Sequence, residues 1–359
     1  MKNQLVITSL LFLTAIATAN AGEVNYNLEG HFQGLYGYTD VKKNNHGVGQ
    51  GNISSSLSYA FDEQTSATLH LDLMGGIDQE IQDYNQGRWG EEVYGELNSR
   101  YGQVMLGQVY NVASLFHDGT PATGALSSNN DVADFLHNPS WKRNKKETYF
   151  TTLNSSDINT DGVAPKINYI TPEFYGTGIG FSYMPDSYNR RGLVNKHANY
   201  AHDDGFVGAV YNDYDWGAIN SQASIGYAQY HGNDKEFSYS LKLSRGNWSL
   251  GGGYRKTYTD GDNKISQNAN LPQDFDAYRE GQAWNIGLGY EIGPFSTSLS
   301  YFESKASHLP DKSKVTVFSN QYQINKNFDV YVAAAYGDYT TANERKNGYA
   351  VVSGVGVNF

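Results

Sequence analysis

Along most of the chain, apolar and polar residues alternate one for one. In the stretch from Val24 to Tyr38, Val24, Tyr26, Leu28, Gly30, Phe32, Gly34, Tyr36 and Tyr38 share one face, and Asn25, Asn27, Glu29, His31 and Gln33 share the other. Ile53, Leu57, Tyr59 and Phe61 likewise oppose Asn52, Ser54, Ser56 and Ser58, while Ala67, Leu69, Leu71 and Leu73 oppose Ser66, Thr68, His70 and Asp72. A period of two is that of a strand with one greasy face. Further runs fall around Ile179–Tyr183, Phe237–Leu243, Trp248–Tyr258, Trp284–Ile292, Phe295–Tyr301 and Phe328–Tyr336. They add up to sixteen strands, most near the ~9–11 residues that cross a bilayer at a tilt.

The connectors alternate in length. DEQ after Phe61, and the stretches at 245–247, 292–294 and 325–327, are short. Longer ones lie near 41–50, 74–90, 186–204 and 260–280, and the longest covers 110–163. Short turns on one side and long loops on the other suit a closed barrel, whose even strand number removes every edge and puts both termini on the short-turn side. A soluble sandwich would not sort its loops in this way.

The last strand supports a membrane setting. Tyr349, Val351, Val355, Val357 and Phe359 share a face, with Ser353 as its weak position. Ten residues span ~33 Å along a strand, or about 25 Å along the bilayer normal at a tilt near 40°, which is the height of an apolar band. Tyr36 and Tyr38 at one strand end, and Tyr59 and Phe61 at another, read as two aromatic girdles.

Composition agrees. Only 39% of the residues are hydrophobic, yet there are 29 Tyr, 16 Phe and 39 Gly. Soluble domains hold ~45–50% apolar residues, so the pattern fits a wet interior inside an apolar belt. Lys2 followed by the apolar run Leu5–Ala17 and by Ala19-Asn20-Ala21 reads as a signal peptide, 1–21, with cleavage near Ala21. The mature domain is then 22–359, that is 359 − 21 = 338 residues, with a formal balance of 25 − 37 = −12. It contains no run near the ~18 apolar residues of a membrane helix, and the absence of cysteine excludes disulfides and thiolate metal sites.

These residues resemble the general trimeric porins of Gram-negative outer membranes. The terminal Phe359 with its alternating approach is similar to that family's insertion signal. YGELNSRYGQVMLGQ resembles the strand-turn-strand before the family's constriction loop, and KINYITPEFYGTGIGFSYMP resembles the pair after it. DVYVAAAYGDYTTANERKNGYAVVSGVGVNF is similar to the last two strands. The resemblance implies an all-β fold, a 16-stranded antiparallel transmembrane barrel, with a long loop, here 110–163, folded into the pore. It also implies a homotrimer in the outer membrane that meets lipid and lipopolysaccharide, and assembly by the barrel-assembly machinery.

The resemblance further implies acids on that loop opposite arginines on the wall. The candidate acids are Asp118, Asp131 and Asp134, joined by the inward Asp72. Where the family often has arginine after Leu-Gly, this chain has Gln108. Parity puts Lys242 and Arg255 inward on later strands, and Lys142, Arg143, Lys145 and Lys146 form a basic cluster late in the loop. The expected channel passes small hydrophilic solutes passively and prefers cations. The alternative is an oligosaccharide-selective channel with Phe116, Phe135 and Trp141 as a stacking track, beside Tyr149 and Phe150. A closed structural barrel is a third reading, against which the Ser-rich inner faces speak. No nucleophile elbow, phosphate loop or His-Glu-x-x-His motif is present, so neither catalysis, a cofactor nor a metal is expected. Dispersed Lys and Arg in an acidic chain give no nucleic-acid signal.

Overall fold

The computed structural model describes residues 23–40, 44–78, 92–123, 135–136, 141–144, 147–150, 152–185, 204–230, 234–258, 280–307 and 309–359. The expected signal peptide lies outside them. The strands run β1 Glu23–Thr39, β2 Asn44–Asp62, β3 Thr65–Asp78, β4 Glu92–Ser99 and β5 Gly102–Gln108. Helix α1, Val112–Leu115, follows, then a hairpin of β6 Trp141–Asn144 and β7 Glu147–Phe150. Next come β8 Pro165–Ile170, β9 Thr177–Met184, β10 Gly205–Asp215, β11 Asn220–Gln229, β12 Lys235–Arg245 and β13 Trp248–Tyr258. The chain ends with β14 Gly281–Ile292, β15 Phe295–Ala306, β16 Lys312–Asn325, β17 Phe328–Thr340 and β18 Arg345–Asn358.

All strands except β6 and β7 form one closed antiparallel barrel of sixteen, each paired with its chain neighbours, with β18 returning to β1. β6 and β7 pair only with each other. Closure is what a bilayer demands, because an unpaired N–H or C=O in hydrocarbon costs several kcal/mol.

The alternation settles which face is which. In β18, Tyr349, Val351, Val355 and Phe359 stand exposed on the outside, whereas Ala350 and Val352 are buried inside. The same parity in β1 exposes Tyr26, Leu28, Phe32, Tyr36 and Tyr38. Aromatic contacts mark both rims. Tyr239 stacks on Tyr254 at 5.2 Å and Trp284 meets Tyr301 at 5.1 Å near the loops, while Trp248 meets Tyr290 at 4.5 Å near the turns.

The short connectors at 63–64, 100–101, 246–247, 293–294 and 326–327 all lie at the end that holds both termini. Two loop expectations need correction. Residues 44–50, expected in a loop, belong to β2, where Val48 pairs with Leu35 and both turn inward. Glycines around Val48 hid the alternation. The far end also holds short connections, such as 341–344 between β17 and β18, so the sorting of loops is not strict.

Phe359 closes the seam. Its N–H donates to Gly30 O and Gly30 N–H donates to Phe359 O, both at 3.0 Å. The Phe359 ring lies over Gly30 and stacks on Phe32 at 6.0 Å with planes 14° apart. Any Cβ at Gly30 would strike that ring. Gly30→Val is therefore expected to lower the temperature at which the folded band converts to the unfolded one on a heated gel. The cost corresponds to the ~1–3 kcal/mol of an overpacked site. An unchanged transition would contradict this seat for Phe359.

Candidate functional site

The inner wall carries a row of inward positions without side chains. On Gly180 of β9, Gly226 of β11, Gly251 and Gly253 of β13, and Gly287 and Gly289 of β14, an added Cβ would meet the segment 112–121. The contacts advance in order: Val112 and Phe116 at Gly180, Ala113 at Gly226, His117 at Gly253, Gly119 at Gly251, Thr120 at Gly287 and Pro121 at Gly289. Thr123 N–H then donates to Ser298 Oγ of β15 at 3.1 Å. The glycines form a trough that this segment occupies at van der Waals distance.

Helix α1 starts the segment. Asn111 caps it, its side-chain oxygen accepting from Ser114 N–H at 3.0 Å. The Asn111 amide donates to Ile158 O at 2.8 Å and to Asp161 Oδ1 at 2.6 Å, tying the outgoing limb to the returning limb, 152–164. Val112 N–H donates to Ser182 Oγ of β9 at 2.9 Å. Ser114 Oγ donates to Asp157 at 2.8 Å, and His117 Nε2 lies 3.0 Å from Ser156 Oγ.

Three ion pairs then fix the loop to the wall or brace the wall beneath it. Lys166 of β8 is buried, with Nζ 3.0 Å from Asp161, and it also donates to the carbonyls of Gly162 and Val109. Tyr230 donates to the same Asp161 at 2.9 Å. Arg255 of β13 is buried too: its Nε donates to Glu236 of β12 at 2.7 Å, and its Nη atoms reach Ser155, Asn159 and Thr160 of the returning limb. Lys242 Nζ lies 2.9 Å from Asp118 Oδ2.

Among the described residues, the inward bases under the loop are thus occupied. At the loop-side mouth Lys346 pairs with Glu344 at 3.1 Å. The opposite sector differs. Glu29 of β1 and Asp72 of β3 form no ion pair among the described residues, and register places Glu92 directly across from Asp72 on the same inward face. Glu96 has His70 at 3.2 Å and accepts from the Asn98 amide, with no lysine or arginine paired to it among the described residues. Asn25, Asn27, His31 and Gln33 of β1, and Ser54, Ser56 and Ser58 of β2, are exposed or half-exposed on the inner face, whereas Ser182, Ser238, Ser240 and Ser300 under the loop are buried.

Several expected site residues take other places. Gln108 pairs with Val93 and Pro165, so its parity is that of the outer face, and it does not join the inward set. Asp118 and Lys242 face the interior but neutralise each other, and Arg255 is a buried brace instead of an exposed wall base. Phe135 is 1% exposed, packed with Leu136 against Val317, Tyr331, Ala333 and Ala350, and offers no face for a sugar. Phe116 meets Tyr211 at 4.5 Å and packs on the cluster around Val112 and Ala113. Asp131, Asp134, Lys145 and Lys146 lie outside the described residues, as do the side chains of Trp141, Lys142 and Arg143. Sequence reading missed Asn111, Asp161, Lys166, Tyr230 and Glu236. The inward glycines of β9 to β14 were the available signal.

The family model for Gram-negative porins matches residues 8–342. The chain belongs to the Gram-negative porin family. Solved porins share its fold. The anion-selective porin from Comamonas acidovorans is 14% identical, with 94% of this chain and 100% of that one covered and a TM-score of 0.60. OmpF of Salmonella typhi in complex with daunomycin is 14% identical over 93% and 97%, with a TM-score of 0.63. The trimer form of OmpT, an outer membrane protein of Vibrio cholerae, is 11% identical over 95% and 100%, with a TM-score of 0.59. At these identities the likeness carries the fold alone. No curated protein matches the chain. This porin is an outer-membrane channel for small solutes, and segment 112–121 lies against the inward glycines of its wall.

His117 gives this porin's loop a pH dependence. Burial holds its imidazole below the ordinary 6.5, because the cation is costly to desolvate. A depressed folded-state value means that the unfolded segment binds the proton more readily. Stability from neutral His117 is thus present above 6.5 and is lost as pH falls below it. Amide protection factors over 112–118 are expected to be lower at pH 5 than at pH 7.5, and His117→Asn should abolish the difference. Equal protection at both pH values in the wild-type porin would contradict the reading.

Proposed function

We propose that the channel is water-filled, passes small hydrophilic solutes and ions by passive diffusion, and prefers cations. One observation carries the preference. On the described inner wall, Lys166, Lys242, Arg255 and Lys346 each face a carboxylate within 4 Å, while Glu29 and Asp72 have no cationic partner. A passage lined by uncompensated carboxylates lowers the barrier for cations and raises it for anions. The open sector lies along β1 to β4, where those acids and half-exposed amides and hydroxyls are found. The limbs 112–121 and 152–164 would narrow the passage from the other side.

The working form is a homotrimer in the outer membrane. Family membership and the trimer form of the Vibrio cholerae structure support this. The aromatic-track reading draws no support from Phe116 and Phe135, which are used for packing.

Neutralising either member of the exposed pair tests the charge balance. In a KCl gradient across a planar bilayer, Asp118→Asn should free Lys242 and lower the cation-to-anion permeability ratio about twofold or more. Lys242→Gln should free Asp118 and raise the ratio. The scale follows from ~1 kcal/mol for a unit charge at an ion's closest approach in a wet passage. Shifts of both variants in one direction would refute the assignment. Rates of liposome swelling that fail to fall smoothly with sugar size would refute passive diffusion.

A further inference from the structure

Three short side chains stand in a row on the inner wall of β2. Ser54, Ser56 and Ser58 are half-exposed to the passage, between the inward sets of β1 and β3. Register sorts their surroundings into rungs. The middle rung runs Asn27, Ser56, His70 and Tyr94 across β1 to β4. The rung on its loop side holds Glu29, Ser54 and Asp72, and the rung on its turn side holds Asn25, Ser58 and Thr68.

His70 and Tyr94 stack with centroids 4.5 Å apart and planes 13° apart. That separation is about one strand spacing, so both rings stand off the wall with their faces turned along the rung. Tyr94 covers one face of His70. The other face looks over Ser56 toward the exposed Asn27, and the His70 side chain keeps 26% of its surface open. β1 and β3 lie two strand spacings apart, or ~10 Å. A flat ring stacks at ~3.5–4 Å, so the serine floor leaves a slot for one ring between His70 and Asn27. Ser58 Oγ and Thr68 Oγ1 lie 2.9 Å apart and close the slot on the turn side. The Asn27 amide donates to Glu29 at 2.8 Å, which draws that side chain toward the loop-side rung. There Glu29 and Asp72 flank the slot, one on each side of Ser54. Rungs on one face are ~6.8 Å apart, a distance that an aromatic ring with a short alkylammonium arm spans.

We propose that this slot binds organic cations that join a flat ring to a protonated amine. The ring stacks on His70 over Ser56, and the ammonium lies between Glu29 and Asp72. The stacked pair carries the assignment, because stacking favours a flat ring over a puckered one of equal charge. The two carboxylates set the sign of the occupant's charge and accept its N–H bonds. The slot opens on the passage, so an occupant obstructs the ion current. The proposal rests on the cation-preferring channel and names a class of solute that the channel retains.

The test is current block of the full-length porin in a planar bilayer, with 2-phenylethylamine as the probe. 2-Cyclohexylethylamine has the same charge without a flat ring, and 2-phenylethanol has the ring without the charge. The aromatic amine should halve the conductance at about one-fifth of the concentration that its cyclohexyl counterpart needs. The alcohol should not block over that range. His70→Ala should bring the two amines to equal potency. Ser56→Leu, which fills the slot from its floor and leaves both rings in place, should do the same. Asp72→Asn should weaken both amines about fivefold, the scale of one unit charge at close approach in water. Equal potency of the two amines on the wild-type porin, block by the alcohol, or an aromatic preference that survives Ser56→Leu would overturn the proposal. The reversal potential in a KCl gradient, recorded in the same bilayers before amine is added, reads the cation preference by itself. A cation-preferring channel that both amines block equally therefore marks failure of the slot alone.

Discussion

A strand that crosses hydrocarbon must bond every backbone group, and this chain meets the requirement only when β18 closes on β1. The rest of the structure depends on that seam. Closure fixes the parity of each strand, so Tyr349, Val351, Val355 and Phe359 face lipid, and Ala350 and Val352 face the interior. The terminal residue makes two backbone bonds to Gly30, and its ring seals the place where Gly30 has no side chain.

A closed barrel of sixteen strands leaves a space wider than side chains alone fill. Here that space is divided unevenly. Glycines on β9 to β14 let the segment 112–121 lie against the backbone of the wall, and the returning limb is held by the buried Lys166–Asp161 pair and by hydrogen bonds from Arg255, itself paired with Glu236. Such pairs contribute little net stability, because desolvation offsets much of the attraction, but breaking one leaves a buried charge at a cost of about 3–5 kcal/mol. Their effect is to fix one position for the limb. The same contacts pair Lys166, Lys242 and Arg255, the inward bases that lie beside the segment among the described residues.

The strands were legible in the sequence because a period of two is local. The alternation from Val24 to Tyr38, the short turn after Phe61 and the outward set ending at Phe359 needed no knowledge of distant residues. The loop was legible only as a length. Its anchors join residues far apart in the chain: Asp118 meets Lys242 across 124 positions and Asn111 meets Asp161 across 50. Reading Asp118 as a free pore acid overlooked a partner that only the barrel brings near. Gln108 was chosen by resemblance, and its register partners Val93 and Pro165 put it on the outer parity. Phe135 was offered as a sugar platform because an aromatic in a long loop has no local pattern, and the barrel supplied an apolar wall to bury it. The inward glycines could have shown the loop's course, since a strand interior gains nothing from glycine unless another chain segment approaches.

The central claim is that segment 112–121 lies in the glycine trough while the channel conducts. The chain has no cysteine, so a pair introduced at Ala113 and Gly226 would be its only thiols. An added Cβ at Gly226 approaches the Ala113 Cβ to 2.6 Å, so the two sulfurs would sit within bonding reach after a small shift. The account predicts that Ala113→Cys with Gly226→Cys forms the disulfide nearly completely on mild oxidation in the membrane. Conductance and permeability ratio should be the same before and after reduction. Failure to cross-link, or a channel whose conductance changes when the bond is reduced, would contradict it.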